Sequence, residues 1–299
     1  MMRLPDSKAL MYTVCGASLA CAVILSAAYG FDGELREKGT VPMPAAAMLS
    51  IAPTSIAARA AVVYDPITKQ ILFAKNADMQ WPLASLTKLM TADTVLSLSS
   101  ENTVVTITPE DLKPDGDWGF KPGEQWSLHD LLTFGLVVSS NDAMAAAANA
   151  APGDVISAMN HRAQELGLTQ TYFSNPTGLD VDLETAGAYG SAHDVAVLAA
   201  TFLAEHPALF EATTASSMTI TSKEGDIVYA KSTDVPLLNI PGLIGAKTGY
   251  TDLAGGNLVA AFDLGINHPL IVVVLGSTVD GRFTDMQTLI AATRAELSQ

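Results

Sequence analysis

The apolar runs of this chain are of two kinds, and their order limits the folds open to it. Early in the body, "AAVVYD" and "ILFAKN" are short, rich in β-branched and aromatic residues, and separated by "PITKQ", which reads as the start of a hairpin. The last third returns to that pattern. "SMTITS" and "IVYAKS" flank a Lys-Glu-Gly-Asp turn, and "LIGAKTGYT", "GNLVAAFDL" and "PLIVVVLGST" read as further strands. Between these blocks the pattern is helical. One helix carries Ser85 and Lys88 and runs to about Ser97. "SLHDLLTFGLVV" opens with Ser127 as N-cap and Asp130 in a capping-box position, and "SSNDAMAAAANAA" continues until Pro152 and Gly153 stop it. "DVISAMNHRAQELG" is closed by Gly167, "SAHDVAVLAATFLAEHP" is capped by Ser191 and ends before Pro207, and "FTDMQTLIAATRAEL" closes the chain. Strands at both ends of a helical middle predict an α+β domain, with a largely antiparallel sheet covered by helices.

The N-terminal region is different. From Ala9 to Phe31 no residue is charged, and at about 1.5 Å per helical residue that run can cross a bilayer core of roughly 30 Å. It reads as a membrane anchor or a cleavable signal peptide, following a cytoplasmic tail at residues 1–8. Residues 32–56, mixed in character and containing three prolines, read as a linker, and residues 57–299 as one folded domain. Both cysteines, Cys15 and Cys21, fall in the apolar run, so the body has no disulfide, thiolate nucleophile or cysteine metal site. The five histidines are scattered without ligand spacing, and no metal site or cofactor is expected. A net charge of −15 argues against a nucleic-acid partner.

Three short stretches carry chemistry. In "WPLASLTKLM", Ser85 and Lys88 share one helix face. A serine hydroxyl is a weak nucleophile until a base takes its proton. A lysine is such a base only when desolvation or a nearby cation lowers its pKa. Ser139, Ser140 and Asn141 sit at the junction of two predicted helices, where a second hydroxyl can relay a proton and an amide can hold both Lys88 and a substrate carbonyl. Lys247, Thr248 and Gly249 lie on the strand "GAKTGYT". Gly249 leaves room for a substrate backbone at the strand edge, and Lys247 supplies the second cation; with Thr248 it can also engage a carboxylate. Each stretch alone has an ordinary explanation: a surface lysine beside a serine, a pair of helix caps, a surface turn. Together, in this order and in these contexts, they point to acyl transfer on a serine.

With their surroundings the three stretches resemble the D-alanyl-D-alanine carboxypeptidase family of low-molecular-mass penicillin-binding proteins. The resemblance runs from about Ala61 to Arg294 and includes "ILFAKNADMQWPLASLTKLMTA", "PGEQWSLHDLLTFGLVVSSNDA", "FSNPTGLD" and "IGAKTGYT". It implies a DD-peptidase/β-lactamase-like fold: a five-stranded antiparallel sheet flanked by helices, an all-helical subdomain, and an active site between them. It also implies that Ser85 is the acylated nucleophile, Lys88 its base, and Ser139 and Asn141 the proton-relay and substrate-holding pair. Lys247 and Thr248 become anchors on the binding strand, with the backbone N–H groups of Ser85 and Tyr250 as the oxyanion hole. Arg282, in "VDGRFTD", takes the place of an arginine that grips a terminal carboxylate.

The implied activity is removal of the terminal D-alanine from peptidoglycan stem peptides outside the cytoplasmic membrane, with β-lactam antibiotics as covalent inhibitors. The membrane is a partner through the N-terminal segment. Cleavage of cross-links by a DD-endopeptidase, and a non-catalytic envelope-binding protein, are the competing readings. A β-lactamase is disfavoured because no Glu-x-x-Leu-Asn run follows the middle motif, and a Ser-His-Asp hydrolase because no G-x-S-x-G elbow occurs. Two departures from the family stand out. Ser140 replaces the usual glycine at a tight junction, where its side chain is expected to narrow the cleft. The β-rich domain that follows the catalytic one in many members is not expected here.

Overall fold

A computed structural model describes residues 48–297, apart from positions 51, 53, 54, 117 and 266. The tail at 1–8, the uncharged run at 9–31 and the linker as far as residue 47 lie outside the described residues. Among the described residues no helix is long and apolar enough to cross a membrane.

Five strands form the central sheet: β1 (Ala60–Asp65), β2 (Gln70–Lys75), β3 (Leu243–Thr251), β4 (Gly255–Asp263) and β5 (Pro269–Ser277). Their spatial order is β3-β4-β5-β1-β2, with every neighbouring pair antiparallel. The first strand therefore pairs with the last, Val62 opposite Val273. The helices are α1 (Thr87–Leu98), α2 (Leu128–Val137), α3 (Asn141–Ala150), α4 (Val155–Glu165), α5 (Ala192–Glu205), α6 (Pro207–Ala212) and α7 (Gly281–Leu297).

Successive strand residues point to opposite faces, and both faces are covered. Val62, Val259, Ile271 and Val273 join the core that includes Ala196, Ala199 and Phe202 of α5. Val63, Leu258, Val272 and Val274 pack with Met286, Leu289 and Ile290 of α7. A strand buried on both sides reads as an unbroken apolar run, which is what "PLIVVVLGS" is. The helical part packs around Trp126 and Phe134, with the Phe120 ring edge-on to both. Arg162 of α4 ties α1 to α5, donating to Asp93 at 2.9 Å and to Glu205 at 2.7 Å.

The structure departs from the sequence reading in four places. Ser85 lies in a separate 3-10 turn, Ala84–Leu86, and α1 begins only at Thr87. Pro207 opens α6 as well as ending the preceding helix, because the first helical position needs no N–H. The hairpin of Ser217–Thr221 and Ile227–Lys231 forms its own two-stranded sheet, apart from the central one. Leu49, within the stretch read as linker, is buried and donates its N–H to Leu72 of β2.

Candidate active site

The site lies between β3, at one edge of the central sheet, and the helices of the middle segment. Ser85 is placed by strain and close packing. Ala84 adopts φ +49°, a left-handed conformation that an alanine enters only under compulsion. The Thr87 hydroxyl holds the Ala84 carbonyl at 2.7 Å. Gly178, from "FSNPTGLD", presses on the same carbonyl so closely that a Cβ there would lie 1.9 Å from the oxygen. The Asn175 side chain organises this loop, its Oδ1 accepting from the Gly178 N–H at 2.8 Å and its Nδ2 donating to Leu179 O.

Lys88 is completely buried. Its Nζ lies 2.7 Å from Ser85 Oγ, 2.7 Å from Asn141 Oδ1 and 2.9 Å from the Thr177 carbonyl. Burial, and then the charge of Lys247, hold its pKa well below the ordinary lysine value. The three neighbours also orient the amine. Thr177 O can only accept, and Asn141 presents its carbonyl oxygen because its Nδ2 donates to Asp115 O at 2.5 Å. A neutral amine has two N–H bonds for these two acceptors, so its lone pair is left facing the Ser85 hydroxyl.

The middle stretch forms the junction of α2 and α3. Ser139 stands at φ +64° and accepts a 2.8 Å hydrogen bond from Lys247 Nζ. Ser140 is buried, and its hydroxyl accepts the Ala143 N–H at 3.1 Å as the N-cap of α3. Its side chain is thus directed into the helix end.

On β3, Lys247 and Thr248 are buried. Lys247 Nζ also donates to Thr248 O, and the Thr248 hydroxyl lies 2.6 Å from Thr233 Oγ1. Burial lowers the Lys247 pKa to about 8, with Asp234 opposing the shift and Arg282 adding to it. The room at Gly249 serves the nucleophile turn, since a Cβ would meet Leu83 O at 3.0 Å and Ser85 N at 3.2 Å. Any side chain there would crowd one of the two amides expected to bind an oxyanion. Tyr250 projects outward, half exposed, its hydroxyl donating to Asp252. Arg282, at the start of α7, is buried and donates through Nη1 to the Gly249 carbonyl at 2.8 Å. β3 is the outermost strand of the sheet, but its Ala246 N–H donates to Thr213 Oγ1 at 2.9 Å and its Thr248 carbonyl accepts from Lys247 Nζ, so an added strand would pair with it beyond Thr248.

Residues 47–279 match the family model described as D-alanyl-D-alanine carboxypeptidase. The chain belongs to the D-alanyl-D-alanine carboxypeptidase family. Among curated members it is 29% identical over 255 residues to the carboxypeptidase DacB2 of Mycobacterium tuberculosis, covering 84% of this chain and 82% of that one. It is 32% identical over 260 residues to DacD of Escherichia coli, covering 80% of this chain but 63% of that longer protein. Penicillin-binding protein D2 of Listeria monocytogenes, solved with ampicillin bound, superposes with a TM-score of 0.69 at 31% identity, covering 79% of this chain and 97% of that one. These likenesses agree with the five-stranded sheet and the flanking helices.

Within this carboxypeptidase-family fold the structure brings together Ser85, Lys88, Ser139, Asn141, Lys247, Thr248, Gly249 and Arg282. Two contributors escape sequence reasoning: the Thr177 carbonyl, whose only signal was the run "FSNPTGLD", and Asp234, a buried acid whose charge acts on Lys247 and Arg282.

Proposed function

We propose that this chain is a serine DD-peptidase that removes the terminal D-alanine of peptidoglycan stem peptides through an acyl-enzyme on Ser85. The observation that carries this reading is the buried Lys88 amine, held by two acceptors with its remaining position 2.7 Å from the Ser85 hydroxyl. Lys88 takes the Ser85 proton as Oγ attacks the penultimate D-alanine carbonyl. The Ser85 and Tyr250 N–H groups hold the oxyanion; one such donor is typically worth about 3–4 kcal/mol in the transition state. Ser139 Oγ accepts from Lys247, so it can give its own proton to the departing D-alanine nitrogen as the C–N bond breaks while taking up the proton held on Lys88, which returns Lys88 to the neutral amine. Water then hydrolyses the ester, with Lys88 again as base. The substrate backbone adds to the edge of β3, and its terminal carboxylate meets Lys247, Thr248 and Arg282. The strained amide of a β-lactam is attacked in the same way. The substrate lies outside the cytoplasmic membrane, and the uncharged run at 9–31 delivers the domain there as an anchor or signal.

Intact-mass analysis after incubation with ampicillin tests this reading, alongside D-alanine release from a stem pentapeptide. Wild type gains one drug mass and releases D-alanine, whereas Ser85→Ala does neither. An adduct of undiminished yield on Ser85→Ala would remove the assignment.

A further inference from the structure

Beside the binding strand lies a buried acid that takes no part in the chemical steps above. Asp234 opens the short 3-10 turn Val235–Leu237 and is completely buried. Its backbone N–H donates to Ser232 Oγ, but among the described residues neither carboxylate oxygen has a donor in ordinary hydrogen-bond geometry. Thr233, the residue before it, is bonded through Oγ1 to the Thr248 hydroxyl at 2.6 Å, which sets Asp234 against β3 and turns it toward Thr248, the Lys247 ammonium and the Arg282 guanidinium on α7. The end of α2, which binds this segment through Val137 O and the Thr233 N–H, brings no charge. Asp280, just before α7, acts on Arg282 from beyond.

Lys247 is in an unusual position. It is fully buried and its hydrogen bonds go to neutral oxygens, Ser139 Oγ and Thr248 O. Among the described residues no carboxylate lies within ion-pair distance of it. Burial and Arg282 both disfavour its charged form, and Asp234 is the group that favours it. Yet the reaction needs that charge three times over: to keep Lys88 neutral, to polarise Ser139, and to meet a substrate carboxylate.

We propose that Asp234 is a positioning residue for acyl transfer, its buried negative charge keeping Lys247 an ammonium ion and so setting the upper pH limit of activity. The inference rests on the acyl-transfer reading above. Asp234 acts through Lys247 and does not touch the reacting atoms. Without it the Lys247 pKa falls below about 8, and the cation is lost at a pH where the wild-type enzyme still retains it.

The test is the second-order rate of acylation by a fluorescent penicillin, followed from pH 5.5 to pH 10 on the full-length chain and on Asp234→Asn and Asp234→Glu. For Asp234→Asn the alkaline limb moves down by about one pH unit, giving a roughly tenfold loss on that limb, while the rate near pH 6 changes by less than about threefold. Asp234→Glu, which keeps the charge, returns the limb toward the wild-type position. A limb that stays in place, or a loss uniform across pH, overturns the proposal. If Asp234→Asn does not fold, 13C NMR of ε-13C-lysine-labelled wild type decides instead. The Lys247 resonance then shows a step near pH 6, where Asp234 gains its proton, below the main titration of Lys247. Its absence overturns the proposal. Wild type that is not acylated at all would sink the acyl-transfer reading, a different result from labelling with an unmoved limb.

Discussion

The role proposed for Lys88 as base fits a buried site in which, among the described residues, acceptors surround the amine but the charge acting on it is another cation. Its neighbours are a hydroxyl, an amide oxygen and a peptide carbonyl, with Lys247 as the nearest charge acting on it. Its depressed pKa gives a sign: acylation rises with pH as Lys88 loses its proton, then falls as Lys247 loses its own near 8. Lys88→Arg retains bulk and donors but puts a permanent cation where a lone pair is required. It is expected to slow acylation by about 10²–10⁴-fold, the usual contribution of a general base, with no recovery at higher pH. A fluorescent-penicillin rate profile checks both points, and a variant that regains activity in mild alkali would disprove them. Ser85, Lys88, Ser139, Asn141, Lys247 and Thr248 are readable in the sequence because side-chain chemistry leaves a residue type at a fixed spacing. Thr177 is not, since its contribution is a carbonyl that every residue carries. Asp234 is not, because only the fold places it against Lys247.

At the level of elements, the strands legible in advance have either an apolar run, as in the central sheet covered on both faces, or a period-2 alternation, as in Ile227–Lys231. The pieces missed are too short to have a period: Trp81–Pro82, Tyr172–Phe173 and Ala188–Gly190 make a small sheet of two- and three-residue strands. The break between Ser85 and α1 was also hidden. Residues three apart remain neighbours whether the turn is 3-10 or α, so spacing does not distinguish them. Ser140 shows how a departure from the family can be absorbed by an element. Glycine at a helix N-cap is only a few tenths of a kcal/mol poorer than serine, whereas alanine, with no oxygen to accept the N–H, costs about 1 kcal/mol. Ser140→Gly is therefore expected to leave thermal stability nearly unchanged, and Ser140→Ala to lower it by about 1 kcal/mol, read from urea melts. Because the hydroxyl caps α3, both variants should keep penicillin acylation within a small factor of wild type. A large gain in acylation by Ser140→Gly would mean that the side chain does obstruct the cleft.

For the folded unit as a whole, sheet order decides which strand stands beside the nucleophile turn. Pairing the first strand with the last puts β1 and β5 in the interior and leaves β3 at an edge, so the strand bearing Lys247, Thr248 and Gly249 runs along the sheet margin beside the nucleophile turn. Arg282 reaches this edge from α7, the helix that covers one face of the sheet. One of its N–H groups is committed to the Gly249 carbonyl, while its Nε–H is buried without an acceptor among the described residues. A buried cation with an unused donor beside an edge strand suits a ligand that brings its own carboxylate. That distinguishes the two peptidase readings. A stem peptide ending in D-alanine has a free carboxylate next to the scissile bond, and a cross-link formed through a lysine side chain lacks it. Removing Arg282 deletes a charge-assisted hydrogen bond worth roughly 1.5–3 kcal/mol to the first substrate only. Arg282→Ala is expected to lower kcat/KM for the pentapeptide by about 10–100-fold, to lower cleavage of a lysine-cross-linked dimer by much less, and to leave ampicillin acylation between the two. Equal losses on both peptides would instead mean that Arg282 serves the reaction only by fixing the Gly249 backbone, and the carboxylate grip would have to be sought at Lys247 and Thr248 alone.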